Sequence, residues 1–147
     1  MKFPFSYQSG KVDCGPACLK MIAEFYEQHH ELNFLKEKCR VKKHGVSMND
    51  LYKAGKAIGF HCAGVKLTIE SLKRVVSKAP VILHCNENHF VVAYKTPKPN
   101  RKGLYHIADP ANGLITLKEV EFAKYWMGGT ERKNSSMIGY ALLLDPV

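Results

Sequence analysis

Residues 14–29 of the 147-residue chain read CGPACLKMIAEFYEQH and predict an amphipathic helix that begins at a cysteine. Asp13 can cap this helix, and Pro16 suits its first turn, where a missing backbone N–H costs nothing. Apolar residues recur every three or four positions, which predicts one face packed against a core: Cys18, Ile22, Phe25 and Tyr26. The helix therefore places the thiol of Cys14 at its first position.

Three more helices are predicted in the first half of the chain. A short one lies around 33–39. The next starts at Ser47, where Asp50 three residues later completes a capping-box pattern, and ends at Gly59. The last starts near Thr68. Apolar spacing predicts the buried faces of the last two helices: Leu51, Ala54, Gly55 and Ile58, then Leu72, Val75 and Val76.

The second half of the chain changes to runs rich in β-branched and aromatic residues, bounded by turn signals, which are typical of strands. The predicted strands are PVILHC (80–85), HFVVAYK (89–95), LYHIAD (104–109) and MIGYALLL (137–144). One further short helix is predicted over 116–126, with Thr116 as its cap. Helices first and strands later predict an α+β fold, with a helical half packed on an antiparallel β-sheet half.

Composition excludes several classes of protein. Hydrophobic residues make up 46% and charged residues 24% of the chain, which is typical of a globular protein. No apolar run reaches the ~18–20 residues that a membrane-spanning helix needs, and the N-terminus lacks the continuous apolar stretch of a secretory signal. Five cysteines, an odd number, favour a reducing, cytoplasmic compartment over a disulfide framework.

The charge balance indicates an acidic partner. Lys and Arg number 22 against 13 Asp and Glu, which gives a net charge of +9. Nucleic acid, an anionic membrane surface and an acidic peptide all fit this charge. The basic residues concentrate in three segments: 36–44, 95–103 and 131–133. Because basic and aromatic residues do not alternate there, and no nucleic-acid-binding motif occurs, nucleic acid is not predicted as a partner.

One set of residues is suited to covalent catalysis. The start of a helix carries partial positive charge, which favours the nucleophilic thiolate of Cys14. A cysteine nucleophile needs a base and a group that orients the base. His89 opens the most apolar strand, and Asp109 ends the next one, so strand pairing would bring them together. Gln8, six residues before Cys14, can donate to an oxyanion.

These residues carry a resemblance to a known family. In order along the chain they are Gln8, Asp13-Cys14-Gly15, Cys18-Leu19, Asn88-His89-Phe90-Val91-Val92 and Asp109-Pro110. The set resembles peptidase family C39, the double-glycine leader peptidase domains of bacteriocin-processing ABC exporters, over residues 5–144. One departure is Asn88, at a position where glycine is expected.

The resemblance implies a papain-like fold in a single peptidase domain over residues 1–147. It implies that Cys14 is the nucleophile, His89 the general acid and base, Asp109 the orienting carboxylate and Gln8 the oxyanion donor, with no metal and no cofactor. The family cuts after a Gly-Gly or Gly-Ala pair that ends a leader peptide, releasing a bacteriocin, lantibiotic or signalling peptide for export.

The resemblance also implies partners and a location. The substrate is a precursor peptide with an amphipathic helical leader. The other partners are the transmembrane and ATP-binding parts of an ABC exporter, at the cytoplasmic side of the bacterial membrane. The chain has no phosphate-binding G-x-x-x-x-G-K-[ST] motif and no membrane span, so it is not itself expected to be a transporter. An exporter's N-terminal domain is favoured, and a stand-alone peptidase is the alternative. Its positive charge would attract acidic leaders or face the anionic leaflet.

Three alternatives remain open from the residues. An acyltransferase can use the same Cys–His–Asp set and would form an amide or ester product. A non-catalytic leader-binding domain would be expected to lack Cys14. A zinc module could use two ligand pairs, although their spacing is unusual for zinc: Cys14 with Cys18, and Cys85 with His89.

Overall fold

The computed structural model describes residues 2–85, 88–128 and 137–147, and in these ranges five helices surround one six-stranded sheet. The basic segment 131–133 lies outside the described residues. In chain order the elements are α1 (Cys14–Phe25), α2 (Leu32–Cys39), α3 (Met48–Ala57), β1 (Phe60–Leu67), α4 (Ile69–Val76), β2 (Val81–Cys85), β3 (His89–Lys95), β4 (Tyr105–Asp109), β5 (Gly113–Leu117), α5 (Glu119–Met127) and β6 (Gly139–Pro146).

Helix α1 begins at Cys14, as predicted, but it ends four residues earlier than the predicted His29. The chain leaves the helix at Tyr26 and then adopts a left-handed conformation at Glu27, whose φ of 65° stops helical hydrogen bonding. Asp13 occupies the N-cap position, yet its side chain makes no capping hydrogen bond. The prediction of an Asp13 cap was therefore wrong, because this carboxylate is used by the preceding loop.

The other helices of the first half agree with their sequence signals. At the start of α3, the backbone N–H of Asp50 donates to Ser47 Oγ at 3.0 Å, and the N–H of Ser47 donates to Asp50 Oδ2 at 2.8 Å. This is the predicted capping box. Helix α4 is capped by Thr68, which accepts from the N–H of Ser71 at 3.1 Å. No helix in the described ranges has the length and apolar character to cross a membrane.

All four predicted strands are present, but two further strands, β1 and β5, were not predicted. Thr116 lies inside β5 and caps nothing, so the predicted start of the last helix was wrong. Helix α5 instead follows Lys118, whose backbone N–H donates to the carboxylate of Glu121 at 2.8 Å. Both missed strands lie at the edges of the sheet, whose order is β1-β6-β2-β3-β4-β5, with every pair antiparallel.

The sheet separates two hydrophobic cores. One face of the sheet packs against α1, α2 and α3, with Leu19, Ile22, Leu51, Phe90 and Val92 at its centre. The opposite face packs against α4 and α5, with Leu72, Val91, Ile107, Phe122 and Trp126 at its centre. Because neighbouring residues of a strand point to opposite faces, each of the paired inner strands β3 and β4 contributes to both cores.

The packing of α5 on the sheet generates a stability prediction at Gly139. A Cβ added there would lie 2.3–2.7 Å from atoms of the Trp126 indole, which is 1% exposed. The Trp126 ring is fixed by its core contacts and by the hydrogen bond from Nε1 to the carbonyl of Tyr140 at 3.1 Å. We expect Gly139→Ala to lower the free energy of unfolding by about 1–3 kcal/mol, measured by urea denaturation.

Gly64 offers a matched control for this substitution. It lies in the edge strand β1, it is exposed, and an added Cβ would meet no atom within 4 Å. Gly64→Ala should therefore leave stability unchanged or raise it, because alanine loses less backbone entropy on folding. Equal free energies of unfolding for the two variants would contradict the close packing at Trp126.

Candidate active site

Cys14 lies at the first turn of α1 and is buried except for 7% of its surface. The loop before it is folded around the fully buried carboxylate of Asp13, which accepts from Ser9 N and Oγ at 2.8 and 2.7 Å and from Gly10 N at 2.8 Å. Burial acts to raise the pKa of Asp13, but these hydrogen bonds lower it below its usual value. The charged carboxylate of Asp13 therefore fixes the conformation of the loop that leads into Cys14.

Gly15 allows the start of α1 to pack closely against the segment before α3. A Cβ at this position would lie 2.5 Å from Cγ2 of Val46, which is itself buried. A larger residue would push the first turn of α1 away from that segment. Glycine after Cys14 is therefore required by packing, which gives a structural reason for the Cys14-Gly15 pair.

His89 and Asp109 meet at one end of the paired strands β3 and β4. The Nε2 atom of His89 donates to Oδ1 of Asp109 at 2.8 Å. Strands β3 and β4 are antiparallel with Val92 opposite Ala108, so the start of β3 lies beside the end of β4. Ala108 belongs to the core of α1, and its neighbour Asp109 therefore points toward the face that carries α5, where Tyr125 donates to it.

The carboxylate of Asp109 is fully buried and surrounded by donors. In the described part of the chain, Oδ1 accepts from His89 and from the backbone N–H of Ala111 at 2.9 Å, and Oδ2 accepts from Nδ2 of Asn112 at 3.0 Å and from the hydroxyl of Tyr125. Burial acts to raise the pKa of Asp109, but the hydrogen bonds hold it well below its usual range. Asp109 is thus a permanent negative charge beside His89.

His89 is held in its protonated form by its two neighbours. Hydrogen bonds with Asp109 and with Cys14 raise the pKa of His89 from 6.5 to about 10, against the opposing effect of burial. Because Nε2 is bonded to Asp109, Nδ1 is the ring nitrogen available to Cys14. The structure therefore brings the three predicted residues Cys14, His89 and Asp109 into one row.

The remaining thiols differ from Cys14 in their surroundings. All five cysteines are free. Burial raises the pKa of each of the other four, to about 12 for Cys39 and Cys85 and well above its usual value for Cys18. These thiols stay neutral near pH 7. Within the described ranges no group of three or more His, Cys, Asp and Glu side chains is arranged to hold a metal ion, so the zinc alternative gains no support.

Gln8 lies beside the turn that follows Asp109. Its backbone N–H donates to the carbonyl of Pro110 at 3.0 Å, which ties the N-terminal segment to that turn. Its side-chain Nε2 donates to the carbonyl of Gly10 at 2.6 Å, while Oε1 is buried and has no partner among the described residues. The structure thus places Gln8 against the turn that follows Asp109, with its side-chain amide bonded to the loop before Cys14.

The backbone conformation of Asn88 explains why asparagine is found before His89, where glycine is expected. Its φ of 57° lies in the left-handed region, which glycine adopts freely and asparagine tolerates best among the other residues. Its Oδ1 bonds to Nε2 of His84 at 2.8 Å, and its Nδ2 donates to the carbonyl of Val46 at 3.4 Å. Asn88 therefore keeps the backbone conformation that His89 requires and adds a link to the segment before α3.

Sequence analysis missed two partners of Asp109. Asn112 belongs to the Pro-Ala-Asn-Gly stretch 110–113, which was interpreted only as a turn. Tyr125 lies 16 residues after Asp109 on a helix whose start was predicted wrongly. No local motif links Tyr125 to Asp109, because their contact depends on how α5 packs on the sheet.

Curated relatives resemble the chain over most of its length. The colicin V secretion/processing ATP-binding protein CvaB of Escherichia coli is 29% identical over 127 residues, covering 86% of this chain and 17% of the relative. The lactococcin-G-processing and transport ATP-binding protein LagD of Lactococcus lactis subsp. lactis is 31% identical over 126 residues, covering 83% and 17%. The chain therefore spans about one sixth of the length of these relatives.

Solved structures share the fold. The peptidase domain of Streptococcus ComA, described as a bi-functional ABC transporter, superposes with a TM-score of 0.82 at 22% identity, covering 99% of this chain and all of the other. A double glycine motif protease from an AMS/PCAT transporter, solved with the leader peptide, gives a TM-score of 0.76 at 25% identity, covering 99% and 93%. These likenesses confirm the predicted papain-like α+β fold.

The family itself is decided by the sequence. The sequence model of the Peptidase C39 family matches residues 2–130. The match includes the helix start at Cys14, the strand start at His89 and the turn at Asp109, which the fold brings together. With this match over most of its length, the chain belongs to the Peptidase C39 family.

Proposed function

We propose that this chain is a cysteine endopeptidase that cleaves a leader peptide from a precursor after a Gly-Gly or Gly-Ala pair. The observation that carries the proposal is the row of Cys14, His89 and Asp109, in which a protonated imidazole lies between a thiol and a permanent negative charge. Residues 1–147 act as one peptidase domain in this proposal. The core of that domain is residues 5–144.

The first half of the reaction transfers the leader to the enzyme. The thiolate of Cys14 attacks the carbonyl carbon of the second residue of the pair, and the carbonyl oxygen becomes an oxyanion. The His89 imidazolium gives its proton to the leaving nitrogen as the peptide bond breaks. The mature peptide leaves with a free amino terminus, and the leader stays bound to Cys14 as a thioester.

The second half releases the leader. His89, now neutral, takes a proton from water, which attacks the thioester carbon and restores the Cys14 thiolate and the His89 imidazolium. Asp109 keeps the imidazole ring in place and stabilises its positive charge throughout. Gln8 supplies the oxyanion donor together with the backbone N–H of Cys14. This role requires the Gln8 amide to leave the Gly10 carbonyl when substrate binds.

The substrate and partners follow from the relatives and neighbours. The names of the matched relatives describe secretion, processing and ATP binding, and one structural neighbour was solved with a leader peptide. We therefore infer a precursor with an amphipathic helical leader as substrate. The transmembrane and ATP-binding parts of an ABC exporter are the inferred partners. Such an exporter binds ATP in the cytoplasm, so the domain would act on the cytoplasmic side of the membrane.

The first test is a cleavage assay read by mass spectrometry, with a panel of double-glycine precursors and the purified chain. We expect wild type to cut directly after the glycine pair. Cys14→Ala should lower the rate by at least about 10⁴-fold, because no other nucleophile replaces the thiolate. Leader binding, measured by fluorescence anisotropy, should remain.

Cys62→Ala is the matched control for this variant. Cys62 is half-buried in the edge strand β1, and it takes no part in the Cys14–His89–Asp109 row. This variant should cut at the wild-type rate. Wild-type turnover by Cys14→Ala would remove Cys14 from the mechanism, and an amide or ester product would favour an acyltransferase instead.

The second test replaces Asp109 by Asn, which keeps the shape and removes the charge. Every partner of the Asp109 carboxylate is a donor, so the NH₂ group of Asn would face a donor instead of an acceptor. We expect kcat to fall about 10²-fold or more while the affinity for the leader is retained. A kcat equal to that of wild type would show that another group orients His89.

The same variant has a defined pH signature. In wild type the imidazolium persists until the pH approaches about 10, because Asp109 and Cys14 raise the pKa of His89. Removing the negative charge of Asp109 lowers that pKa toward its ordinary value of 6.5. The alkaline loss of kcat/KM should therefore occur at lower pH in Asp109→Asn than in wild type. An unchanged alkaline limb would contradict the coupling of Asp109 to His89.

A third test compares the reactivity of the five thiols. Burial raises the pKa values of Cys18, Cys39, Cys62 and Cys85, whereas Cys14 lies beside the His89 imidazolium at the start of α1. We expect iodoacetamide at pH 6 to alkylate Cys14 much faster than the other four, as measured by peptide mass mapping over time. Equal labelling of all five thiols would contradict an activated Cys14.

A further inference from the structure

The carboxylate of Asp109 is held by donors of two kinds. The backbone N–H of Ala111 and the amide of Asn112 belong to the same turn as Asp109, two and three residues away. They belong to the same hairpin as Asp109 and do not link its carboxylate to another element of the fold. His89 is the side chain to be oriented. The hydroxyl of Tyr125, 16 residues away on α5, is the donor that connects the carboxylate to another part of the fold.

Helix α5 is itself firmly anchored. Phe122 and Trp126 are 0% and 1% exposed in the core on this face of the sheet. The Phe122 ring stacks on Tyr105 of β4, with ring centroids 4.5 Å apart, and Trp126 donates to the carbonyl of Tyr140 in β6. The helix is therefore attached to two strands, on the face of the sheet opposite α1. A hydroxyl carried by such a helix has a defined position.

The two carboxylate oxygens of Asp109 have different hydrogen-bond partners. Oδ1 accepts from Nε2 of His89 and from the backbone N–H of Ala111. Oδ2 accepts from the Tyr125 hydroxyl and from Asn112. Rotation of the carboxylate about its terminal bond is soft, because this torsion has broad minima. Without the Tyr125 hydroxyl, Oδ2 keeps one donor from its own turn. The rotation that places Oδ1 against His89 is then less restricted.

We propose that Tyr125 is a positioning residue of the peptidase, which fixes the rotation of the Asp109 carboxylate so that Oδ1 stays directed at His89. The inference rests on the proposed function, since it assigns Tyr125 to the same reaction. Tyr125 acts through Asp109 and His89, because its hydroxyl donates to Oδ2 of Asp109. The face of the sheet that carries α5 thereby contributes to a site whose nucleophile is carried by α1, on the opposite face.

The test is Tyr125→Phe, which removes one oxygen atom and keeps the ring. We expect kcat for a precursor that wild type cuts to fall about 10- to 100-fold, since small misplacements of a catalytic group have effects of this size. KM should stay within about twofold, because the leader-binding surface is unchanged. In ¹H NMR spectra, the downfield resonance of the His89 Nε2 proton should shift or broaden.

Tyr105→Phe is the matched control, because it removes the same atom from a second hydrogen-bonded tyrosine–carboxylate pair. The Tyr105 hydroxyl donates to Oε1 of Glu119 at 2.6 Å, and its ring packs on Phe122 of α5. Any general loosening of α5 by a lost hydroxyl should therefore appear in this variant too. We expect it to lose stability without a change in kcat or in the His89 resonance.

The outcomes are distinguishable. Equal losses of kcat in Tyr125→Phe and Tyr105→Phe would overturn the proposal in favour of a structural role. Wild-type kcat with an unchanged His89 resonance in Tyr125→Phe would overturn it outright. If wild type cuts no precursor, the proposed function fails, and the NMR comparison alone decides whether Tyr125 positions the Asp109–His89 pair.

Discussion

A carboxylate removed from water must receive hydrogen bonds in exchange, because an unpaired buried charge costs several kcal/mol of folding free energy. Asp109 is fully buried, and donors from a turn, a strand and a helix surround it. This requirement links elements that would otherwise be independent. Strand β3 must start where His89 reaches Oδ1, and α5 must pack where Tyr125 reaches Oδ2. The packing that buries Asp109 therefore also places His89 against it.

The electrostatics of the site follow from the same burial. Cys18, Cys85 and Tyr125 surround Asp109, and burial raises the pKa of each, so these groups are neutral near pH 7. These three groups therefore add no charge beside that of Asp109, which acts on His89 directly. Its effect, together with Cys14, is to keep the imidazole protonated to about pH 10. A thiol peptidase needs such an imidazolium, because it stabilises the thiolate and supplies the proton for the leaving group.

Prediction from sequence succeeded where local signals were strong. The four predicted strands are the four inner strands of the sheet. Their apolar runs are clear because both faces of the sheet are covered there. Strands β1 and β5 were missed because they are edge strands with many exposed residues, so their apolar signal is weak. Asp13 has the residue type of a helix cap, but its nearest donors in space are Ser9 and Gly10. The Asp13 carboxylate therefore accepts hydrogen bonds from the preceding loop and does not cap α1.

The sequence by itself determined that a thiol stands at a helix start, that His89 begins one strand and that Asp109 ends the next. These features depend on caps, periodicity and turns within a few residues. Only the tertiary structure decided that Nε2 of His89 faces Asp109, that Gln8 lies at the Pro110 turn, and that Tyr125 completes the carboxylate's partners. Those contacts join residues 16 to 102 positions apart in the chain. Their geometry is set by which face each strand presents and where α5 packs, and no local pattern encodes it.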